Sequence, residues 1–335
     1  MRQTLIIDQH HCSLEYDNGC LLLRSPDKPV RKLPLRYLDK VVCLHHTDLQ
    51  TQALAQMRYA GVNFVYLNAR NSDLSFALQA EHQAQCLRRC AQYEISMHHS
   101  AVALQLAQHW VRYKITCSRR ALQASEQYEL RSSPASLQAL LNHLLQLQQH
   151  ITAQTPWPTL RGIEGLAQRQ IFAHWCQQLP PQLGFTQRLR RPPPDPVNAI
   201  LSLSYTMAMH EAIRQCLHSG LDPWLGFYHR PAHGRQSLAS DLMEPLRAHI
   251  ESWVVGVFQT GQLSLREFSH GPNGCLLGKQ GRKTYYEQWY TQAPQWAQQL
   301  NHLARRLARG IDRHARMSHL ALQLHPAEDD SEAMF

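Results

Sequence analysis

A histidine and two acidic residues lie close together in the segment GFYHRPAHGRQSLASDLMEPLR, residues 226–247. His229 lies in a loop rich in glycine and proline, and Asp241 and Glu244 follow it. If Ser240 caps a helix, the two carboxylates stand on one helical face, about 5–6 Å apart at Cβ. Carboxylate oxygens combined with a single imidazole suit Mg²⁺ or Mn²⁺. The segment therefore predicts a divalent-metal site.

A further carboxylate, Glu164, lies upstream in TLRGIEGLAQRQIFAHW, which has a strongly helical composition. A rigid helix can hold this carboxylate against the other acidic groups. At each position a role unrelated to metal binding stays open. A loop histidine beside Arg230 is often solvated, Asp241 can serve only to cap the first turn of a helix, and Glu244 can be a surface charge.

Three motifs in the second half of the chain match a known family: NAILSLSY (198–205), GLDPWLGFYH (220–229) and GRQSLASDLMEPLR (234–247). They resemble the CRISPR-associated spacer-acquisition integrase/endonuclease family, the catalytic subunit of the CRISPR adaptation complex. RGIEG (161–165) resembles the glutamate-bearing helix of that family, and the N-terminal third has its short-strand pattern. The resemblance therefore spans nearly the whole chain.

Two positions depart from the family pattern. Trp224 stands where family members more often carry tyrosine. This difference affects packing and none of the proposed ligands. Pro245 directly follows Glu244 and lacks an N–H, so it predicts a kinked or delayed helix and leaves the direction of Glu244 open.

The resemblance implies a set of ligands and a reaction. In that family a glutamate, a histidine and an aspartate bind the catalytic metal, which implies Glu164, His229 and Asp241 as metal ligands and catalytic residues here. Glu244 is a nearby acidic position whose role the resemblance leaves open. The implied cofactor is Mg²⁺ or Mn²⁺. The implied reaction is insertion of short duplex DNA, the new spacers, into a CRISPR array by 3′-OH attack on phosphodiesters, with endonuclease activity as a related reaction.

The partners that the resemblance implies are double-stranded DNA, a second copy of this chain and a small dimeric companion protein in a larger complex. Some relatives are also fused to, or work with, a reverse transcriptase. The residues alone leave other functions open, since a metal site supports attack by water or by a DNA 3′-OH. One alternative is a general metal-dependent nuclease on branched DNA. Another is a noncatalytic DNA-binding scaffold in which the acidic and imidazole groups are structural.

The composition favours a nucleic-acid partner. A chain of 335 residues can hold two domains, and a formal net charge of +9 suits a polyanion. No apolar run approaches the length of a membrane helix, and the N-terminus lacks the apolar core of a signal peptide. We therefore expect a cytoplasmic protein with no membrane partner. Nine cysteines at irregular positions, without a CxxC pair, indicate neither a disulfide framework nor a zinc site.

Basic residues predict where DNA binds. They lie in the cationic proline-rich loop RLRRPPPDP (188–196), beside the histidine-bearing loop, in the glycine-rich stretch 268–289 and along the basic run 303–319. The candidates are Arg188, Arg190, Arg191, Arg235, Lys279, Arg282, Lys283, Arg305, Arg306, Arg309 and Arg313. Lys114, in another helical run, is a further cation that could touch phosphate. Each group also fits a solvated basic face.

The order of predicted strands and helices along the chain indicates an α+β fold. A small N-terminal β-rich domain is followed by a larger all-helical catalytic domain, which must position these residues. In residues 1–80 the expected strands are LIID (5–8), CSLEYD (12–17), CLLLR (20–24), KVVCLH (40–45), NFVYLN (63–68) and LSFALQ (74–79). Asn18-Gly19 predicts a type I′ hairpin turn, and residues 49–61 predict one helix ending at Gly61.

The resemblance implies that this β-rich domain forms the homodimer. Long runs rich in glutamine, leucine and alanine predict that residues 81–326 form the α-helical catalytic and DNA-binding domain. The acidic residues 327–335 are expected to be a disordered tail.

Overall fold

A computed structural model describes residues 3–26, 28–68, 72–78, 86–98, 100–125, 133–272 and 274–324. The chain divides into two compact units, Met1–Gln83 and Ala84–Phe335. The first is β-rich and the second is mostly helical, which confirms the predicted fold class. The domain boundary expected after residue 80 and the tail expected at 327–335 both lie outside the described residues.

The first unit contains eight strands and one α-helix among its described residues. In chain order they are β1 (Gln3–Ile7), β2 (Cys12–Asp17), β3 (Cys20–Arg24), β4 (Arg31–Pro34), β5 (Leu38–Cys43), β6 (Thr47–Leu49), α1 (Thr51–Tyr59), β7 (Asn63–Tyr66) and β8 (Phe76–Leu78). The strands form two four-stranded sheets, ordered β1-β5-β7-β8 and β4-β3-β2-β6. Strands β4 and β6 were not predicted, because one reads RKLP and the other has only three residues, too short for an alternating pattern.

The β2–β3 hairpin has the turn that its sequence predicts. Asn18 and Gly19 have φ values of 44° and 79°, which a type I′ turn requires. Leu14 and Leu21 face the core on either side of this turn and are fully buried, and Met57 of α1 joins them. The turn chemistry therefore matches the hairpin, and burial alternates along the first half of β2.

The second unit contains seven α-helices and one hairpin among its described residues. They are α2 (Cys86–Met97), α3 (Ser100–Ala124), α4 (Pro134–Gln149), α5 (Trp157–Gln178), α6 (Pro196–His218), α7 (Ser237–Gln259), β9 (Phe268–Gly271), β10 (Gly274–Leu277) and α8 (Lys279–Leu324). The antiparallel β9–β10 hairpin corrects the expectation of an all-helical domain, since it forms from the glycine-rich stretch that was expected to be a loop. No helix in the described part of the chain is long and apolar enough to cross a membrane.

Helix α7 lies at the centre of the second unit and packs against α3, α6 and α8. It begins at Ser237, so Ser240 does not cap it as expected; the Ser240 hydroxyl instead donates back to the Gln236 carbonyl. The helix continues through Pro245. Because proline has no N–H for the carbonyl four residues earlier, that carbonyl of Asp241 needs another donor, and Trp110 Nε1 on α3 supplies it.

Candidate active site

A buried lysine joins two of the predicted carboxylates. Lys114 on α3 places Nζ 2.6 Å from Glu244 Oε2, and the same Nζ contacts Glu164 Oε1 on α5. The side chains of Lys114 and Glu244 are each 7% exposed, so both charges are largely removed from water. Buried charges need partners, and these three groups provide them for one another. Lys114, expected as a surface cation, is therefore part of the site.

The buried charges in this cluster shift one another's pKa. Burial opposes the charged form of Lys114, but Glu244 and Glu164 outweigh it, and the pKa of Lys114 is raised. Burial would also raise the pKa of Glu244, but Arg247, followed by Lys114 and His229, lowers it to about 2. The Arg247 Nε donates to Glu244 Oε1 across 2.9 Å. The lysine and Glu244 are thus both charged at neutral pH.

Asp241 holds the loop that carries the histidine. Its Oδ2 accepts from the backbone N–H groups of Phe227 at 2.7 Å and Tyr228 at 3.0 Å. Its Oδ1 accepts from the His229 N–H at 2.8 Å and lies 2.7 Å from His229 Nδ1. Burial raises the pKa of Asp241, and the contacts with His229 oppose this shift. The metal-ligand role predicted for Asp241 stays a prediction; in this structure the carboxylate orients the loop and the imidazole.

Close packing at Gly226 and hydrogen bonds from α2 also hold the loop before α7 in place. Gly226 has no space for a side chain, since a Cβ there would lie 2.4 Å from the His229 carbonyl oxygen and 2.8 Å from Ser237 Cβ. On α2, Ser96 Oγ donates to the Gly226 carbonyl at 2.7 Å. Gln92, fully buried, donates to two further loop carbonyls. The imidazole therefore sits on a rigid loop.

The second ring nitrogen of His229 faces Glu244. Nε2 lies 4.0 Å from Glu244 Oε1, while Nδ1 is directed to Asp241. Four contacts thus join the sequence-predicted residues. His229 contacts Asp241 and Glu244, and Lys114 contacts both Glu164 and Glu244. Sequence spacing predicted the proximity of His229, Asp241 and Glu244, but it gave no sign of the bridging lysine.

Within the described residues, no group of three histidine, cysteine, aspartate and glutamate side chains is arranged to hold a metal ion. The physical reason is that the Lys114 ammonium lies between the Glu164 and Glu244 carboxylates. The donor chemistry nevertheless fits Mg²⁺ or Mn²⁺, because two carboxylates already share one cation and the His229 imidazole faces one of them.

A second buried cluster lies farther along α7, and sequence reasoning missed it. Glu251 is 2% exposed and accepts from Tyr205 OH at 2.7 Å and from Gln168 Nε2 at 3.1 and 3.2 Å. Arg247 lies over the Tyr205 ring, with Cζ 4.6 Å from the centroid. Burial raises the pKa of Glu251. The sequence feature that could have revealed this cluster is the spacing of Glu244, Arg247 and Glu251, which places three charges on one helical face.

The predicted DNA-binding residues differ in exposure. The guanidinium of Arg188 is half-buried and donates to Asn198 Oδ1 at 2.8 Å and Ser202 Oγ at 3.0 Å. Arg282 is partly buried and donates to the Leu277 carbonyl at 3.1 Å. The exposed residues are Arg190, Arg191, Arg235, Lys279, Lys283, Arg305, Arg306, Arg309 and Arg313. Arg188 is therefore engaged within the protein, while Arg305, Arg306, Arg309 and Arg313 of α8 face solvent.

Comparison with known proteins gives matches over most of the chain. The family model described as CRISPR associated protein Cas1 matches residues 5–291. A CRISPR-associated endonuclease Cas1 from Thermodesulfovibrio yellowstonii is 32% identical over 312 residues, covering 91% of this chain and 96% of the relative. A Cas4 exonuclease/Cas1 endonuclease fusion from Geobacter sulfurreducens is 30% identical over 279 residues, covering 80% of this chain and 49% of the fusion.

Solved structures share the fold at low sequence identity. A casposase bound to integration product superimposes with a TM-score of 0.79 at 17% identity, covering 93% of this chain and 90% of that one. A Cas1 protein from Thermotoga maritima gives a TM-score of 0.78 at 15% identity, covering 92% and 97%. A Cas6-RT-Cas1–Cas2 complex gives 0.78 at 24% identity, covering 93% of this chain and 35% of that chain.

Proposed function

This chain belongs to the CRISPR-associated Cas1 family, and we propose that it is a metal-dependent DNA endonuclease and integrase that inserts short duplex DNA into a CRISPR array. The observation that carries this proposal is the convergence of Glu164 and Glu244 on one buried cationic atom, Lys114 Nζ. His229 faces the same Glu244. A divalent cation held by such clustered acidic groups can act on a phosphodiester, and the exposed arginines of this unit suit a DNA backbone.

Glu164, Glu244 and His229 would hold the Mg²⁺ or Mn²⁺ ion, once Lys114 gives up its place between the two carboxylates. Asp241 then acts through His229: its contact with Nδ1 directs Nε2 toward Glu244. In the alternative set, which the family resemblance implies, Glu164, His229 and Asp241 would be the ligands. When bound, the ion neutralises charge that develops on the phosphorus oxygens and lowers the pKa of the attacking hydroxyl.

The integration step exchanges one phosphodiester for another. The 3′-oxygen of the incoming strand forms a bond to a phosphorus atom of the target strand, and the bond from that phosphorus to its own 3′-oxygen breaks. The proton of the attacking hydroxyl leaves, and the departing 3′-oxygen takes one up, so no external energy source is needed. Hydrolysis differs only in the attacking group, because water replaces the 3′-hydroxyl.

Partners are part of the proposal. We infer that double-stranded DNA binds along the exposed arginines of α8 and that the β-rich unit pairs with a second copy of the chain. A small dimeric companion protein would complete the complex. One structural neighbour is a Cas6-RT-Cas1–Cas2 complex. It supports the proposal that a companion protein binds this chain, and it is consistent with a reverse transcriptase as a further partner.

A strand-transfer assay tests the proposal. A labelled duplex is incubated with a repeat-containing plasmid in Mg²⁺ or Mn²⁺, and products are scored for covalent joining and for nicking. Glu164→Gln, His229→Ala and Glu244→Gln should each abolish turnover while DNA retention stays close to that of the unchanged protein. Glu211→Gln serves as the matched control, because Glu211 is also largely buried and pairs with Arg214 within α6.

Two variations separate the competing functions. A duplex with 3′-deoxy ends cannot join, so loss of joining with retained nicking identifies the integrase, whereas a general nuclease makes no joined product from either duplex. A noncatalytic scaffold would retain DNA but show no metal-dependent turnover at all. Full activity of any of the three variants would remove that residue from the site.

A further inference from the structure

The two exposed cysteines of this chain lie one helical turn apart. The chain has nine cysteines, and the other seven are buried or partly buried. Cys86 and Cys90 are both exposed, and both belong to α2. Side chains four residues apart share one face of a helix, with their Cβ atoms about 5–6 Å apart. Two accessible thiols are therefore held side by side.

The spacing of these thiols decides between two kinds of chemistry. A disulfide bond needs Cβ atoms about 3.5–4.5 Å apart, so an intact helix holds Cys86 and Cys90 too far apart to be joined directly. A metal ion between two thiolates spans a longer gap, because two metal–sulfur bonds of about 2.3 Å separate the sulfur atoms by up to roughly 4.6 Å. The pair therefore fits a bridging ion better than a disulfide.

The two thiols already interact with each other. The hydrogen bond between Cys90 and Cys86, followed by the repulsion between the two groups, raises the pKa of Cys90. The repulsion arises because two thiolates side by side bring like charges together. A cation bound between the sulfur atoms replaces both protons and removes that repulsion. The pair is therefore suited to a shared cation.

The type and number of ligands indicate which ion binds. Thiolate sulfur is a soft ligand, which favours Cu(I) over Mg²⁺ or Mn²⁺. In the part of the chain that the structure describes, no group of three histidine, cysteine, aspartate or glutamate side chains could hold a metal ion, so the four-ligand site typical of zinc is not formed. Cu(I) is stable with only two thiolate ligands. Cys86 and Cys90 therefore suffice for this ion.

Arg89 lies beside the thiol pair on the same helix. It follows Cys86 by three residues, which makes the two side chains neighbours on the helix surface. Its Nε is buried and has no hydrogen-bond partner among the residues that the structure describes. Two thiolates with one monovalent cation keep a net negative charge. Arg89 supplies a neighbouring positive charge for such a complex.

We propose that Cys86 and Cys90 form a two-coordinate site for a soft monovalent cation, Cu(I), with Arg89 balancing the charge of the complex. Binding replaces two thiol protons by one metal ion, and no electron is transferred. The inference does not rest on the proposed function, because it uses neither the acidic groups of the candidate active site nor DNA.

The thiol pair lies on the helix that holds the loop before α7. From α2, Gln92 and Ser96 donate to carbonyl groups of that loop. Arg88, between the two cysteines in sequence, donates to Asp312 of α8. An ion that joins the two thiolates spans the turn that contains Arg88 and restrains it. Cu(I) binding should therefore slow hydrogen exchange of the α2 amides.

Competition with a chromophoric Cu(I) chelator, bathocuproine disulfonate, tests the site under anaerobic conditions. The full-length protein should withdraw one equivalent of Cu(I) from the chelator. Cys86→Ser and Cys90→Ser should each weaken binding by roughly a hundredfold or more, because the advantage of two linked ligands is lost. Ag(I), which is also soft and monovalent, should compete for the site, and Mg²⁺ should not.

Control variants separate the pair from the other thiols and from the fold. Cys20→Ser is the matched control, since it removes a partly exposed thiol outside the pair, and it should leave the Cu(I) affinity unchanged. Arg89→Gln should weaken binding by about two- to fivefold, and Arg89→Lys should restore most of that loss. The thermal midpoints of both serine variants of the pair should equal that of the unchanged protein, because the thiols are exposed.

Several results would overturn the site. Unchanged Cu(I) affinity in either serine variant of the pair would do so, as would an equal loss in Cys20→Ser. A Cu(I)-dependent doubling of mass would mean that the ion joins two copies of the chain. Trypsin cuts after Arg88 and Arg89, so an intrachain disulfide would join two tryptic peptides. Such joined peptides after mild peroxide treatment would refute the spacing argument, and unchanged hydrogen exchange of α2 would refute the restraint.

Discussion

Replacing Lys114 by methionine should destabilise the protein in EDTA and make its stability depend on divalent metal. Methionine keeps most of the volume of the side chain but removes the ammonium that Glu164 and Glu244 share. Breaking a buried ion pair by removing one partner costs about 3–5 kcal/mol. Because Arg247 still pairs with Glu244, we expect about 3 kcal/mol, a fall in the thermal midpoint of roughly 6–12 °C for a unit of this size.

Addition of Mg²⁺ or Mn²⁺ should reverse this loss. Without the ammonium, the two carboxylates bind a divalent cation without first displacing Lys114. The thermal midpoint of Lys114→Met should therefore rise by more than that of the unchanged protein over the same metal titration. Its Mn²⁺ affinity, measured directly by electron paramagnetic resonance or calorimetry, should increase as well.

Lys114→Arg is the matched control, because it keeps a positive charge between the carboxylates. It should show no increase in Mn²⁺ affinity. If Lys114→Met is as stable as the unchanged protein in EDTA, the ammonium does not stabilise the buried carboxylates and the reasoning fails. If the variant is destabilised and millimolar Mn²⁺ does not restore it, Glu164 and Glu244 do not form a divalent site.

Three other predictions follow from the same buried groups. Asp241→Asn should lower the unfolding free energy by about 3 kcal/mol, equally with and without metal. The reason is that the amide cannot accept hydrogen bonds from all of the loop N–H groups that donate to Asp241. A loss of stability confined to metal-containing buffer would instead favour a ligand role for Asp241. Tyr205→Phe should cost about 1–3 kcal/mol in urea unfolding, since the buried Glu251 loses its hydroxyl donor, and an unchanged midpoint would contradict this. The pKa of Glu244 is lowered from 4.5 to about 2, and this shift stabilises the folded state by roughly 3 kcal/mol above pH 4.5. The stabilisation is lost as the pH falls through 2. The unfolding free energy of Glu244→Gln, measured from pH 6 to pH 2, should lack this pH-dependent part, and a pH profile identical to that of the unchanged protein would refute it.

The first unit shows how far local patterns predict a fold. β2 and β3 have the bounds that their short apolar runs and the Asn18-Gly19 turn predict, since both signals lie within a few residues of each other. The strands β4 and β9 escaped prediction for a local reason too. One is mostly polar and ends in proline, and the other lies in a glycine-rich stretch, so neither carries an apolar alternation.

The sequence by itself determined that His229, Asp241 and Glu244 would lie close together, because one loop and the first turns of one helix hold all three. Only the tertiary structure decided what each does. Packing of α3 and α5 on α7 brings Lys114 and Glu164 to Glu244, and folding of the loop turns its N–H groups onto Asp241. These contacts join residues up to 130 positions apart, as Lys114 and Glu244 are. No local spacing encodes them, since helix packing and burial select which charges must neutralise one another.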